Sequence, residues 1–133
     1  MKKCNSVILI DDDPLENLIN RKLIEKLDFT QKIEVFSNGF EGINFLKILL
    51  QVDNPPDVIF VDINMPIMNG FEFLKEFHLL PKEFKQKIKV IVLTSSLSEN
   101  DHKTAQLIGC DGYLTKPLTK EKIREEYEKI FTK

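Results

Sequence analysis

The chain has 133 residues, enough for one compact domain with a buried core and too few for two of ordinary size. Hydrophobic residues make up 42% and charged residues 30%, and 19 basic against 21 acidic side chains leave a net charge of −2, without the basic excess of a generic nucleic-acid binder. Two cysteines, Cys4 and Cys110, are too few for a disulfide framework and read as reduced thiols.

In chain order, the amino terminus leads into a short apolar run that ends at three aspartates. That run is too short for a signal-peptide core, and no later run reaches membrane-spanning length. A cytoplasmic location is expected, with no membrane and no nucleic acid as partner. Ser6-Val7-Ile8-Leu9-Ile10 is rich in β-branched residues and apolar on both parities, the mark of a strand buried on both faces. Asp13-Pro14 opens a helix, with Asp13 as cap and Pro14 in the first turn. Leu15, Leu18, Ile19, Lys22, Leu23, Ile24 and Leu27 follow at helical spacing.

Ile33-Glu34-Val35-Phe36 is a second strand, Ser37-Asn38-Gly39 a turn, and a helix runs from about Phe40 to about Val52. Asp57-Val58-Ile59-Phe60-Val61 is a third buried strand. The loop Met65-Pro66-Ile67-Met68-Asn69-Gly70 carries two helix breakers, and a helix from Phe71 to Leu80 stops at Pro81. Ile88-Lys89-Val90-Ile91-Val92-Leu93 is the fourth strand. Ser98 followed by Asp101 resembles a capping box opening a fourth helix, which ends near Gly109. Its apolar face is thin, chiefly Ala105, Leu107 and Ile108, which predicts the most weakly held helix. Gly112-Tyr113-Leu114-Thr115 is the fifth strand, and a last helix from about Lys120 buries Ile123, Tyr127, Ile130 and Phe131.

Five β-α units in succession imply an α/β fold: a doubly wound, five-stranded parallel sheet with helices on both faces and right-handed crossovers. Ligands of such folds bind beyond the carboxyl ends of the strands. Those ends carry Asp11, Asp12 and Asp13, then Asp62 and Asn64, then Thr94, Ser95 and Ser96, then Lys116 and Pro117. Aspartates at strand ends often serve only as caps and turns. Two clusters on neighbouring strands instead favour a metal site, because close carboxylates raise one another's pKa or require a cation. Oxygen ligands suit Mg²⁺. Lys116 and the Thr94 hydroxyl complete a phosphoryl-transfer constellation with a carboxylate nucleophile. No dinucleotide fingerprint, Walker-type loop or nucleophile elbow is present. His78 and His102 lack partners at zinc spacing and are expected at the surface.

Four stretches then resemble one family in order and spacing. They are Val7-Ile8-Leu9-Ile10-Asp11-Asp12-Asp13-Pro14; Val58-Ile59-Phe60-Val61-Asp62-Ile63-Asn64-Met65-Pro66 with Met68-Asn69-Gly70; Val90-Ile91-Val92-Leu93-Thr94; and Gly112-Tyr113-Leu114-Thr115-Lys116-Pro117. The chain resembles the response-regulator receiver domain of two-component signalling, of the single-domain chemotaxis-regulator kind. The resemblance implies a flavodoxin-like (βα)5 fold with strand order 2-1-3-4-5. It implies Asp62 as phospho-acceptor, with Asp12 and Asp62 binding Mg²⁺ directly, Asp11 acting mainly through water and Asn64 giving its backbone carbonyl. Lys116 would contact the phosphoryl group, Thr94 would move in to hydrogen-bond it, and Tyr113 would rotate into the space vacated. A cis Lys116-Pro117 bond is expected.

The implied partners are a histidine kinase or histidine phosphotransfer protein and a downstream protein met on the face of the fourth helix, fifth strand and fifth helix. The protein would be no enzyme beyond assisting its own phosphorylation and dephosphorylation, and a monomer that could dimerise when phosphorylated. Residues 1–133 are expected to form one receiver domain with no output domain. Ser95 stands where the family usually has alanine, and Asn64 and Ser96 occupy positions that tune phosphoryl lifetime. The stretches 47–56 and 81–87 look longer than a minimal receiver. Two rivals are a phosphorylation-independent interaction module on the same fold and a phosphatase of the haloacid-dehalogenase type. The first would normally lack one of the acids or the lysine. The second is opposed by Leu15 and by the missing late acidic pair.

Overall fold

A computed structural model describes residues 1–95 and 98–131; Ser96, together with residues 97, 132 and 133, lies outside the described residues. Strands β1 (Cys4–Ile10), β2 (Thr30–Phe36), β3 (Val58–Asp62), β4 (Lys89–Thr94) and β5 (Gly112–Thr115) form one parallel sheet in the order β2-β1-β3-β4-β5. Among the described residues six helices accompany them: α1 (Pro14–Leu27), α2 (Gly39–Gln51), α3 (Gly70–His78), α4 (Lys82–Lys85), α5 (Glu99–Ile108) and α6 (Lys120–Phe131). The flavodoxin-like order is the one expected.

Alternation along each strand sorts its side chains into two cores, since successive residues point to opposite faces. Val7, Leu9, Val58, Phe60, Ile91, Leu93 and Leu114 pack with Ile24 of α1 and with Ile123 and Tyr127 of α6. Ile8, Ile10, Ile59, Val61, Val90 and Val92 pack with α2, with Phe73, Leu74 and Phe77 of α3, and with Ala105 of α5. Both parities are therefore apolar because both faces are covered.

The segment after α3 holds an element absent from the expected pattern. The single turn α4 buries Phe84, and the Lys85 ammonium donates to the carbonyl oxygen of His78 at 2.6 Å. A cation at the end of α3 suits the helix dipole. The apolar face expected for α1 is also revised. Leu15, Leu18 and Ile19 are exposed, whereas Asn17 and Asn20 are buried. The inward row is Asn17, Asn20, Ile24 and half-buried Leu27, itself at helical spacing.

α5 is held as thinly as expected. Ala105 is buried and Ile108 half-buried, but Leu107 is 87% exposed. The Ser98 side chain caps α5 by accepting from the Asp101 amide at 3.3 Å. A reciprocal capping box also stands at α3, where Asn69 accepts from the Glu72 amide at 2.9 Å and Glu72 accepts from the Asn69 amide at 3.0 Å. Neither histidine is an idle surface group. The Nε2–H of half-buried His78 donates to the carbonyl oxygen of Gly109 at 2.8 Å, and exposed His102 stacks on Tyr113. No helix among the described residues is long and apolar enough to cross a membrane.

Candidate functional site

Parallel pairing brings the ends of β1, β3, β4 and β5 to one edge of the sheet, and with them the candidate residues among those described. Asp11 follows β1 and is buried, while Asp12 beside it is exposed. Asp13 is taken up as the cap of α1, accepting from the Leu15 amide at 2.9 Å and the Glu16 amide at 3.4 Å. Its own amide donates to Asp11 Oδ1 at 3.0 Å, which helps orient that carboxylate. Asn17 anchors the backbone beneath by donating Nδ2–H to the Asp11 carbonyl oxygen at 2.8 Å. Sequence reasoning missed this residue, although its spacing from Ile24 marked the inward face.

Asp62 closes β3 and is buried. Just beyond it the chain turns back into α3, with the Gly70 amide donating to the Ile63 carbonyl oxygen at 2.8 Å. A Cβ at Gly70 would lie 2.5 Å from the Asp62 carbonyl oxygen and 2.7 Å from Ile63 Cα, so only glycine lets α3 start this close to the acid. Asn64 lies two residues on, in the exposed loop between β3 and α3.

Carboxylate oxygens of Asp11, Asp12 and Asp62 lie within 4.8 Å of one another. Lys116, half-buried at the end of β5, reaches across to two of them. Its Nζ is 2.6 Å from Asp11 Oδ2 and 3.3 Å from Asp62 Oδ1. The Lys116-Pro117 bond is cis, and the Lys116 amide donates to the Thr94 carbonyl oxygen at 2.7 Å, tying β5 to the end of β4. Burial together with the neighbouring Asp11 charge pushes the Asp62 carboxyl up to about 6, against the opposing pull of Lys116. Burial also works against the Lys116 ammonium, but Asp11 and Asp62 outweigh it and hold its pKa above the ordinary value.

Thr94, the last residue of β4, is fully buried and pairs in register with Thr115. Tyr113 of β5 is half-buried, and its hydroxyl is enclosed. Burial raises its pKa, and the nearby Thr94 side chain eases the shift. Ser95 is exposed. The arrangement therefore offers a buried carboxylate with a raised pKa, two further acids, a fixed cation and a buried hydroxyl. Three hard oxygen donors at this separation fit a divalent cation such as Mg²⁺. A carboxylate beside a cation is also suited to attack phosphorus.

Comparison with known proteins places these features together. The response regulator receiver domain family matches residues 7–128. The chemotaxis protein CheY of Halobacterium salinarum is 32% identical over 127 residues, covering 95% of this chain and 96% of that protein. Several longer curated relatives match over about half their length. A two component response regulator from Cytophaga hutchinsonii superposes with a TM-score of 0.89 at 34% identity, covering 99% of this chain and 100% of the other. The receiver domain of a sensor histidine kinase from Pseudomonas aeruginosa, solved with magnesium in its active-site cleft, has a TM-score of 0.80 at 16% identity. It covers the whole of both chains, and at that identity it shows a shared fold.

Proposed function

Since the chain belongs to the response regulator receiver domain family, we propose that it accepts a phosphoryl group on Asp62 from a histidine kinase or histidine phosphotransfer protein. The observation that carries this reading is the convergence of three carboxylates at the sheet edge, two of them bridged by Lys116, with Thr94 buried at the end of β4. In the transfer an Asp62 oxygen bonds to phosphorus as the donor's N–P bond breaks. The bonding pair stays on the imidazole nitrogen, which takes a proton from solvent.

Asp62 must be ionised to attack, and a carboxyl with a pKa of about 6 is mostly ionised at neutral pH. Asp11, Asp12 and Asp62, with the Asn64 backbone carbonyl, are the groups that would hold Mg²⁺. When bound, it offsets the charge of the acids and of the phosphoryl oxygens. Lys116, already within reach of Asp62, supplies a cation to one phosphoryl oxygen, and the Thr94 hydroxyl donates to another. Catalysis here is positioning and charge stabilisation. The protein turns over nothing besides its own phosphoryl group.

Phosphorylation adds charge and acceptor oxygens at the sheet edge. Thr94 and Lys116 gain partners, and the surface of α5, β5 and α6 shifts its balance between two arrangements. A downstream protein binds there, in the cytoplasm.

The test is intact mass spectrometry after incubation with acetyl phosphate and Mg²⁺. One phosphoryl adduct on the wild type, absent from Asp62→Asn and absent with EDTA, is expected. No adduct on the wild type under these conditions would overturn the reading and leave the fold as a phosphorylation-independent interaction module.

A further inference from the structure

A ring pair joins α5 to β5. Ser98, His102, Ala105 and Gly109 recur at helical spacing, so His102 shares the face that turns Ala105 into the core. From that face its imidazole lies over the Tyr113 ring, with centroids 4.3 Å apart and planes 20° from parallel. The Tyr113 hydroxyl beneath is enclosed, on the side of Thr94, whose side chain eases its raised pKa. Enclosing a hydroxyl costs free energy that water would otherwise repay, so the ring contact that keeps it inward matters. Next to the ring a groove of about 260 Å³ opens between α5 and α6, bordered by Cys110, Asp111, Glu126 and Lys129. The phenol has room to swing out into it, where water would satisfy the hydroxyl.

We propose that His102 is a positioning residue: its ring stack holds Tyr113 with the hydroxyl enclosed on the Thr94 side, and so ties the thinly held α5 to the phosphoryl site. The proposal rests on the phospho-acceptor reading of Asp62. Aromatic pairs in near-parallel contact add stability beyond their burial. Here that increment falls on a helix whose described apolar anchors are one buried alanine and one half-buried isoleucine. The stack therefore sets the resting balance between enclosed and open Tyr113, and through it the readiness of Thr94 to meet a phosphoryl oxygen.

Tyr113 and Tyr127 are the two tyrosines of the chain, so 3-fluorotyrosine labelling gives two ¹⁹F resonances, assigned with Tyr127→Phe. His102 is exposed, and its replacement leaves the core intact. Wild type and His102→Phe should place the Tyr113 resonance at one shielded position. In His102→Ala and His102→Gln it should move toward the solvent-exposed position, with the ratio of enclosed to open ring falling about two- to tenfold. The rate of Asp62 labelling by acetyl phosphate should fall by a similar factor in the Ala and Gln variants and recover in Phe. An unmoved Tyr113 resonance in Ala and Gln overturns the proposal, as does a Phe variant that behaves like Ala. If the wild type takes no label at all, the phospho-acceptor reading fails, and the resonance comparison still decides whether His102 holds the ring.

Discussion

Helices α3 and α5 cover the same face of the sheet and are held there very differently. α3 sinks Phe73, Leu74 and Phe77 into the core, starts on a reciprocal capping box, and approaches Asp62 through a glycine that admits no side chain. α5 buries Ala105, leaves Leu107 in water, and is tied at its far end by the His78 bond to Gly109. Burying a large apolar side chain contributes about 1.5–3 kcal/mol, and a methyl group far less. One helix is thus fixed and holds Asp62 in place. The other is held by little buried apolar surface and can shift at a smaller cost, as the proposed switch requires. Sites that switch draw their moving parts from the weakly held end of a structure.

The sharpest way to break that contrast is Phe73→Ala, expected to cost about 3–5 kcal/mol by denaturant unfolding. A cost near that of an exposed substitution would mean that α3 is no better anchored than α5. Next comes the acid that α3 supports. The Asp62 carboxyl has a pKa of about 6 in the folded chain against an ordinary 3.8. Its charge therefore costs stability above about pH 6, and the cost fades as pH falls toward about 4. Measured in EDTA, Asp62→Asn should be more stable than wild type by about 2–3 kcal/mol at pH 8, with the gap closing at acid pH. A gap that stays constant or widens on acidification would contradict the buried, proton-retaining acid. Asn69→Ala removes the α3 cap and should cost about 1 kcal/mol, read from the denaturation midpoint. Smallest is Leu107→Gln on the outer side of α5, expected within about 0.5 kcal/mol of wild type. A loss well beyond that would show that Leu107 is packed and that α5 is less free than α3 makes it look.

Much of this was legible in the chain. Strand runs apolar on both parities and separated by helical periodicity implied a sheet covered on both faces, and Asp11, Asp12, Asp62, Thr94 and Lys116 fell at its strand ends. The misreading and the omission share a cause. On α1 the leucines at 15 and 18 drew the predicted face, but the Asp11 backbone needed a polar partner, and Asn17 turned inward to supply it. At α5 the Ser98–Asp101 spacing read as a cap, and Ser98 does cap the helix, while the reciprocal box of Asn69 and Glu72, at the loop that must place α3 against Asp62, was not read.

The sequence alone determined the order and type of the main elements and the residues at each strand end, because hydrophobic period, caps and breakers act over a few residues. Only the tertiary structure decided which aspartate is buried and which exposed, that Lys116 bridges Asp11 and Asp62, that His78 ties α3 to the end of α5, and that His102 covers Tyr113. Each of those is a contact between separate elements, made where the sheet's register and the crossovers set two side chains face to face, and no local pattern encodes such a distance.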